Sequence, residues 1–295
     1  MDLRSQKYGI EIETIGATRE TVARAIQAVV GGEARYTGGT YGTWEVEQPD
    51  GRIWKAVSDS SLTSVSRDFQ AEVVSPILRY EDLEVLQQVV RAIRAAGAKV
   101  DQTTSIHIHI DAAPFDGRSL TRLAKLVYKQ EPIIIKALGI QERRLRQYAK
   151  PMAQDFIARL EADRPQTTAQ MNKIWYGHKN RFPNHYDSSR YHGVNFHNVW
   201  FRGTVEFRWF EGTLHAGRVK AYVQFVLALA AKGLNGRSAS SQKRTYNEAS
   251  AKYDFRVFLL GLGLIGDEFK TARLHLLANL PGNAAWKNGR PNTAA

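Results

Sequence analysis

Seven short stretches alternate apolar with polar residues, or concentrate β-branched and aromatic ones, and a period of two predicts strands. They are YGIEIET (8–14), GTWEVEQ (42–48), RIWKAVS (52–58), QAEVVSP (70–76), SIHIHID (105–111), GVNFHNVW (193–200) and TVEFRWF (204–210). Gly-Gly at 38–39 and Pro-Asp-Gly at 49–51 read as turns, so residues 42–58 form a predicted hairpin. Elsewhere the apolar spacing changes to three and four. ETVARAIQAVV (20–30), YEDLEVLQQVVRAIRAAG (80–97) and SLTRLAKLVYKQ (119–130) predict helices, with Pro132 starting or kinking the next one. AGRVKAYVQFVLALAAKGLN (216–235) is apolar enough to be largely buried, and the last helices are expected within 254–280. The polar segment 160–190 is expected as one long loop, a length that in compact domains is often functional. Strands and helices mix without a strict βα alternation, which gives an α+β class: a mainly antiparallel sheet with helices packed on one face.

The same alternation sorts the chemistry. Glu11 and Glu13 share one strand face opposite Ile10 and Ile12, about 6–7 Å apart along it. Solvated charge and a metal site both fit such a pair. His107 and His109 share a face opposite Ile106, Ile108 and Ile110, and two imidazoles so spaced reach one cavity or lie on an ordinary half-exposed strand. Glu206 and Arg208 lie opposite Val205, Phe207 and Trp209. They either neutralise each other or divide between a metal and a phosphate oxygen. Glu72 alternates with Ala71 and Val73, and Asp59 sits in the loop upstream. If these strands are neighbours, Glu11, Glu13, Glu72, His107 or His109, and Glu206 converge. A carboxylate-rich set with little imidazole suits Mg²⁺ or Mn²⁺ better than structural zinc. Arg190, Arg202, Arg208 and the basic run RRLRQYAK (143–150), with Arg146 and Lys150, are candidates for holding phosphates.

Composition narrows the classes. The chain of 295 residues is 43% hydrophobic, enough for a substantial core, and carries a net charge of +12, which favours anionic partners. The absence of cysteine excludes disulfides, thiolate ligands and a cysteine nucleophile, and fits a reducing cytoplasm. No apolar run approaches the roughly 20 residues that span a bilayer, and no signal peptide is expected at the start. No GxxxxGK[ST] loop is present, which disfavours a P-loop enzyme.

Taken in order, G-x-E-x-E at 9–13, D-x-S at 59–61 with E-x-x-S-P at 72–76, H-x-H at 107–109 and E-F-R at 206–208 resemble the amidoligase family, carboxylate–amine ligases related to glutamine synthetase and γ-glutamylcysteine synthetase. The similarity runs from Gly9 to about Trp286 and includes LLGLGLIGDEF (259–269) and LANLPGNAAW (277–286). It implies a single catalytic domain over 1–295, with a flexible tail after about 286. It also implies a curved sheet with helices on its convex face, and a concave face binding ATP and two or three divalent metals, Mg²⁺ or Mn²⁺. By that resemblance Glu11, Glu13, Glu72, His107 and Glu206 ligate metal, with Asp59 an addition. His109 faces substrate or phosphate, Arg208 contacts phosphate, and Arg190 and Asn195 match a basic-then-amide segment ahead of the last strand.

The implied reaction activates a carboxylate with ATP as an acyl phosphate, which an amine then attacks to give an amide. Asp59 or a loop carboxylate would take the amine proton. The chain has no room for the extra domain that helps glutamine synthetase form rings, so its acceptor is expected to be a peptide, a protein or another, anionic, polymer. Three alternatives stand beside this one: a phosphotransferase of the same superfold, a basic nucleic-acid-binding protein without catalysis, and a metal-dependent hydrolase using the His-x-His strand.

Overall fold

The computed structural model describes residues 1–287, so the expected tail after about 286 lies almost wholly outside the described residues. Eight strands form one open sheet: β1 (Tyr8–Ile15), β2 (Glu33–Gly38), β3 (Thr43–Glu47), β4 (Ile53–Val57), β5 (Gln70–Val74), β6 (Ser105–Asp111), β7 (Val194–Asn195) and β8 (Thr204–Glu211). Their order is β2-β3-β4-β5-β1-β6-β8-β7, and every neighbouring pair is antiparallel. Among the described residues ten α-helices accompany them: α1 (Arg19–Val30), α2 (Leu83–Ala95), α3 (Gly117–Leu138), α4 (Glu142–Gln147), α5 (Gln154–Asp163), α6 (Thr168–Tyr176), α7 (His197–Phe201), α8 (Ala216–Asn235), α9 (Ala251–Gly261) and α10 (Lys270–Leu276).

The strands divide their faces as their period demands. Ile12 pairs with Val73 on one side and Ile106 on the other, and Ile10 pairs with Ile108, so β5, β1 and β6 present one continuous apolar surface. Those residues are fully or almost fully buried. Helix α1 covers this surface over β3 to β5, and α8 covers it over β6, with α2 between them. Helix α8 is buried nearly all round, as its apolar composition requires. Local chemistry sets the ends. Thr18 caps α1 by accepting from the Thr21 N–H at 3.1 Å, and Gly31, at φ 74°, ends it in a backbone region open to glycine.

Three expectations need correction, and one strand was not expected. Residues 193–200 are not one strand: β7 stops at Asn195, Phe196 turns helical at φ −81° and ψ −14°, and α7 follows. Residues 160–190 are not one loop, because α5 runs to Asp163 and α6 fills 168–176. Helix α6 is nucleated by a capping box in which the Thr167 hydroxyl accepts from the Gln170 N–H and the Gln170 side chain accepts from the Thr167 N–H. The longest irregular stretch that remains is 177–187. Pro132 does not start a helix; α3 runs through it, with both neighbours and several further α3 residues buried or half-buried in the core. Strand β2 was not expected at all. It is a polar edge strand, broken by a bulge between Tyr36 and Gly38, and only Ala34 and Tyr36 alternate with its polar residues.

Candidate active site

The face opposite Ile10 and Ile12 carries the acids, and register brings them together. Glu13 is opposite Glu72 across β1–β5, Glu11 is opposite His107 across β1–β6, and the row His109, Glu206, Asn195 crosses β6, β8 and β7. Three groups follow in which the ligand-type atoms lie within 4.8 Å of one another: Glu11, Glu72 and His107; Glu11, His109 and Glu206; Glu13, Asp59 and Glu72. Glu11 and Glu72 each belong to two groups, so the three form one continuous patch. Asp59 reaches it from the turn after β4, where its carboxylate also accepts from the Ser61 N–H at 2.8 Å.

The imidazoles and Glu206 are held by neighbours. His107 Nδ1 lies 3.1 Å from a Glu11 oxygen, while its Nε2 lies 3.0 Å from the Ser105 hydroxyl. His109 Nδ1 lies 3.1 Å from the Thr204 hydroxyl. Glu206 is gripped from three sides: Arg208 donates to Oε1 at 2.6 Å, and Asn195 and Asn198 donate to Oε2 at 2.6 and 2.7 Å. Arg208 is itself buried beside it. A register shift between the Ile106 and Ile108 pairings gives β8 an extra residue in this region, so Arg208 can lie on the acid face while Phe207 and Phe210 both face the core. Gly193 lies against this bulge; a Cβ there would come 2.1 Å from the Trp209 indole nitrogen.

Burial and crowding set the charges. Burial raises Glu206, but Arg208 and the two imidazoles outweigh it and lower its carboxyl to about 2. For Glu11 burial is again opposed, here by the charge of His109 and by hydrogen bonds from His107 and His109, and the carboxyl falls well below the usual range. Glu72 has no such partner. Burial first, then repulsion from Glu11, Asp59 and Glu13, pushes it well above the usual carboxylate range. Burial lowers His109, but Glu11 and Glu206 outweigh it and raise the imidazole.

A divalent cation fits this patch. The donors are mostly carboxylate oxygens with a minority of imidazole, the set expected of Mg²⁺ or Mn²⁺. One buried donor atom, Asn195 Oδ1, has no hydrogen-bond partner, and His109 Nε2 meets only carboxylates, the nearest a Glu11 oxygen at 3.4 Å. Glu72, pressed toward neutrality by its neighbours, is the group a cation would relieve. An opposite-signed pair of effects is therefore expected for Glu72→Gln. Because the folded carboxyl lies above its unfolded value, ionising it opposes folding as pH rises between the two. In EDTA at neutral pH the variant is expected to melt at the same temperature as the parent or higher. In millimolar Mn²⁺ it is expected to lose most of the parent's thermal upshift. A lower melting temperature in EDTA would show that the Glu72 carboxylate is stabilising, and the crowding argument would fail.

Of the expected cations, Arg208 and Arg202 reach the patch; Arg202 Nη1 lies 3.7 Å from a Glu11 oxygen. Arg190 sits further out, donating to the His185 carbonyl at 2.8 Å and lying over Tyr191. Arg146 is not brought to the acids: it points to solvent from α4 and pairs with Glu142, four residues earlier. Lys150 is not brought to them either. It lines a small cavity with Phe156, Trp175, His192 and Val194. The inward residue of α4 is Arg144, which donates to the Arg208 carbonyl at 2.7 Å and so braces β8 from behind the ion pair. Asn198 was also not anticipated. It is delivered by α7, the helix that replaces the expected end of the 193–200 strand, so helices serve both faces of the sheet.

Comparisons with known proteins bear on this arrangement. Among solved structures, a bifunctional glutathione synthetase from Pasteurella multocida is similar at a TM-score of 0.39 and 13% identity, over 93% of this chain and 47% of that one, so the chain spans about half the length of that enzyme. A comparison with curated proteins finds no match. The profile of a family described as "putative amidoligase enzyme" matches residues 4–230, a span that contains every acid and imidazole of the patch. That match covers well over half of the sequence, and the chain belongs to the amidoligase family.

Proposed function

We infer that the protein is an ATP- and divalent-metal-dependent carboxylate–amine ligase. The observation that carries this reading is the continuous patch of Glu11, Glu13, Asp59, Glu72, His107, His109 and Glu206 on one sheet face, with the buried Arg208 beside it. The reading takes the sheet as curved with the acids on its concave side, and the chain as a single catalytic domain. Glu11, Glu13, Glu72, His107 and Glu206 would hold divalent ions, which when bound neutralise the charge that keeps a carboxylate and a triphosphate apart.

ATP enters as a substrate. An oxygen of the substrate carboxylate attacks the γ-phosphorus, the bond from that phosphorus to the bridging oxygen breaks, and ADP departs with the bond electrons. The amine nitrogen then attacks the acyl carbon of the resulting acyl phosphate. Inorganic phosphate leaves and the nitrogen loses a proton, giving the amide. Arg208 and Arg202 would draw phosphoryl charge, Arg208 as a preorganised donor and Arg202 from a half-exposed position. Asp59, at the border of the patch, is the carboxylate suited to accept the amine proton. Asn195 and Asn198 orient Glu206, so they act through it.

A basic nucleic-acid-binding protein has no use for such a patch, since its carboxylates repel phosphodiesters. Among the described residues no helix is long and apolar enough to cross a membrane. Nucleotide binding tests the proposal: calorimetric titration with ADP is expected to show binding in Mn²⁺ or Mg²⁺ and none in EDTA. Equal binding in both would overturn it.

A further inference from the structure

Beside the acid patch stands a loop, residues 177–187, that displays the two most exposed large apolar side chains among the described residues. Phe182 is 88% exposed and Tyr186 is 79% exposed. Neither is on a loose end. Asn172 and Asn180 clamp the start of the loop with two reciprocal hydrogen bonds, Asn180 N–H to the Asn172 side chain at 2.9 Å and the Asn172 amide to the Asn180 carbonyl at 3.1 Å. At its end Arg190 donates to the His185 carbonyl, and Trp175 donates to the Ser189 hydroxyl at 3.0 Å. A chain of contacts ties the loop to the patch. The Tyr186 and His185 rings are 4.8 Å apart, His185 lies 5.8 Å from Phe201, and Arg202 reaches from over Phe201 to Glu11. Burying a large aromatic is strongly favourable, so a clamped loop that holds two of them in water presents contact surface.

Charge says what covers it. Between 177 and 187 the sequence places His178, Lys179, Arg181 and His185 against one acid, Asp187, whose carboxylate accepts from the Ser189 N–H at 2.9 Å, and Arg190 and Arg202 continue the positive strip toward the patch. We propose that loop 177–187 docks an acidic polypeptide segment, with Phe182 and Tyr186 as its aromatic anchors and Lys179 and Arg181 receiving its carboxylates. This rests on the ligase reading in one respect: the docked segment is the substrate that carries the reacting carboxylate, led inward past Arg202. A polypeptide is favoured over single-stranded nucleic acid because the strip leads to the proposed ligase centre, where a carboxylate is the group to be activated and a phosphodiester backbone offers none.

The test is fluorescence anisotropy with fluorescein-labelled poly-L-glutamate, compared with oligothymidylate of matched charge. The intact protein is expected to bind poly-L-glutamate more tightly than oligothymidylate, with affinity falling as salt is raised. Phe182→Ala and Tyr186→Ala are each expected to weaken it roughly tenfold, as loss of an anchor residue does, and the double variant further, with an unchanged melting temperature. Failure of the intact protein to bind poly-L-glutamate, unchanged binding by the double variant, or preference for oligothymidylate would each overturn the proposal. Metal-dependent ADP binding, measured on the same samples, keeps this result separate from the ligase reading. That reading fails if ADP binding is indifferent to metal, and the docking proposal fails only on the polymer data.

Discussion

Glu11→Gln is expected to abolish metal-dependent nucleotide binding while leaving the protein folded. Glu11 is central to the patch: it belongs to two of the three clusters of ligand-type atoms, lies against both imidazoles, and faces Arg202 toward solvent. An amide in its place keeps the shape and an acceptor for His107, so the hydrogen bond of 3.1 Å can survive. What is lost is one negative charge and one strong oxygen donor to a cation. Changes to residues that only orient metal ligands typically cost about 10–100-fold in metal affinity. Loss of a shared ligand should exceed that, which puts ADP binding beyond calorimetric reach at millimolar Mn²⁺. Glu11 is a better choice than Glu206 for this test, because removing Glu206 also strands the buried Arg208. A Glu11→Gln variant that binds ADP with the parent's metal dependence would show that the acids are not the cation site, and the ligase reading would lose its main support.

Much of this centre was legible in the sequence because a strand encodes its faces with a period of two. Glu11 and Glu13 against Ile10 and Ile12, or Glu206 and Arg208 against Phe207, could be sorted without a structure. Convergence could not. It depends on which strand lies beside which, and the order β5-β1-β6-β8 joins segments far apart in sequence. The basic run 143–150 shows a second limit, since sequence alone does not say which of its cations face the acids. There the issue is helical phase: in a six-residue helix the turn alone decides that Arg144 points inward and Arg146 outward. Asn198 was hidden for a related reason. An alternating strand would have put Asn195 and His197 on one face and Asn198 on the other. The helical turn at Phe196 instead carries Asn198 round to join Asn195 on Glu206. Helix α6 was masked by composition, since its polar sequence resembles a loop unless the Thr167–Gln170 box is read as a helix start.

The ion pair under the site should dominate the stability of this region. Arg208 and Glu206 are both nearly inaccessible and meet at 2.6 Å. In the metal-free protein Arg208→Met is expected to cost about 3–5 kcal/mol, the usual consequence of leaving a buried charge without its partner. This corresponds to a fall in melting temperature on the order of 10 °C. Glu206→Gln alone should also destabilise, because Arg208 cannot shed its proton and only the more distant Glu11 and Glu13 then offset its burial. The double variant, Arg208→Met with Glu206→Gln, leaves neither charge and keeps an amide for Asn195 and Asn198, so it is expected to recover most of the loss. The difference between Arg208→Met and parent should also follow pH. The folded Glu206 carboxyl is lowered to about 2, so the stabilisation it gives is full above the ordinary carboxylate range and fades as pH falls toward that value. Thermal melts in EDTA across that range decide the matter. Additive single and double variants would show that the two side chains act independently, and Arg208 would then have to be buried for a reason other than holding Glu206 in its charged, ligand-ready state.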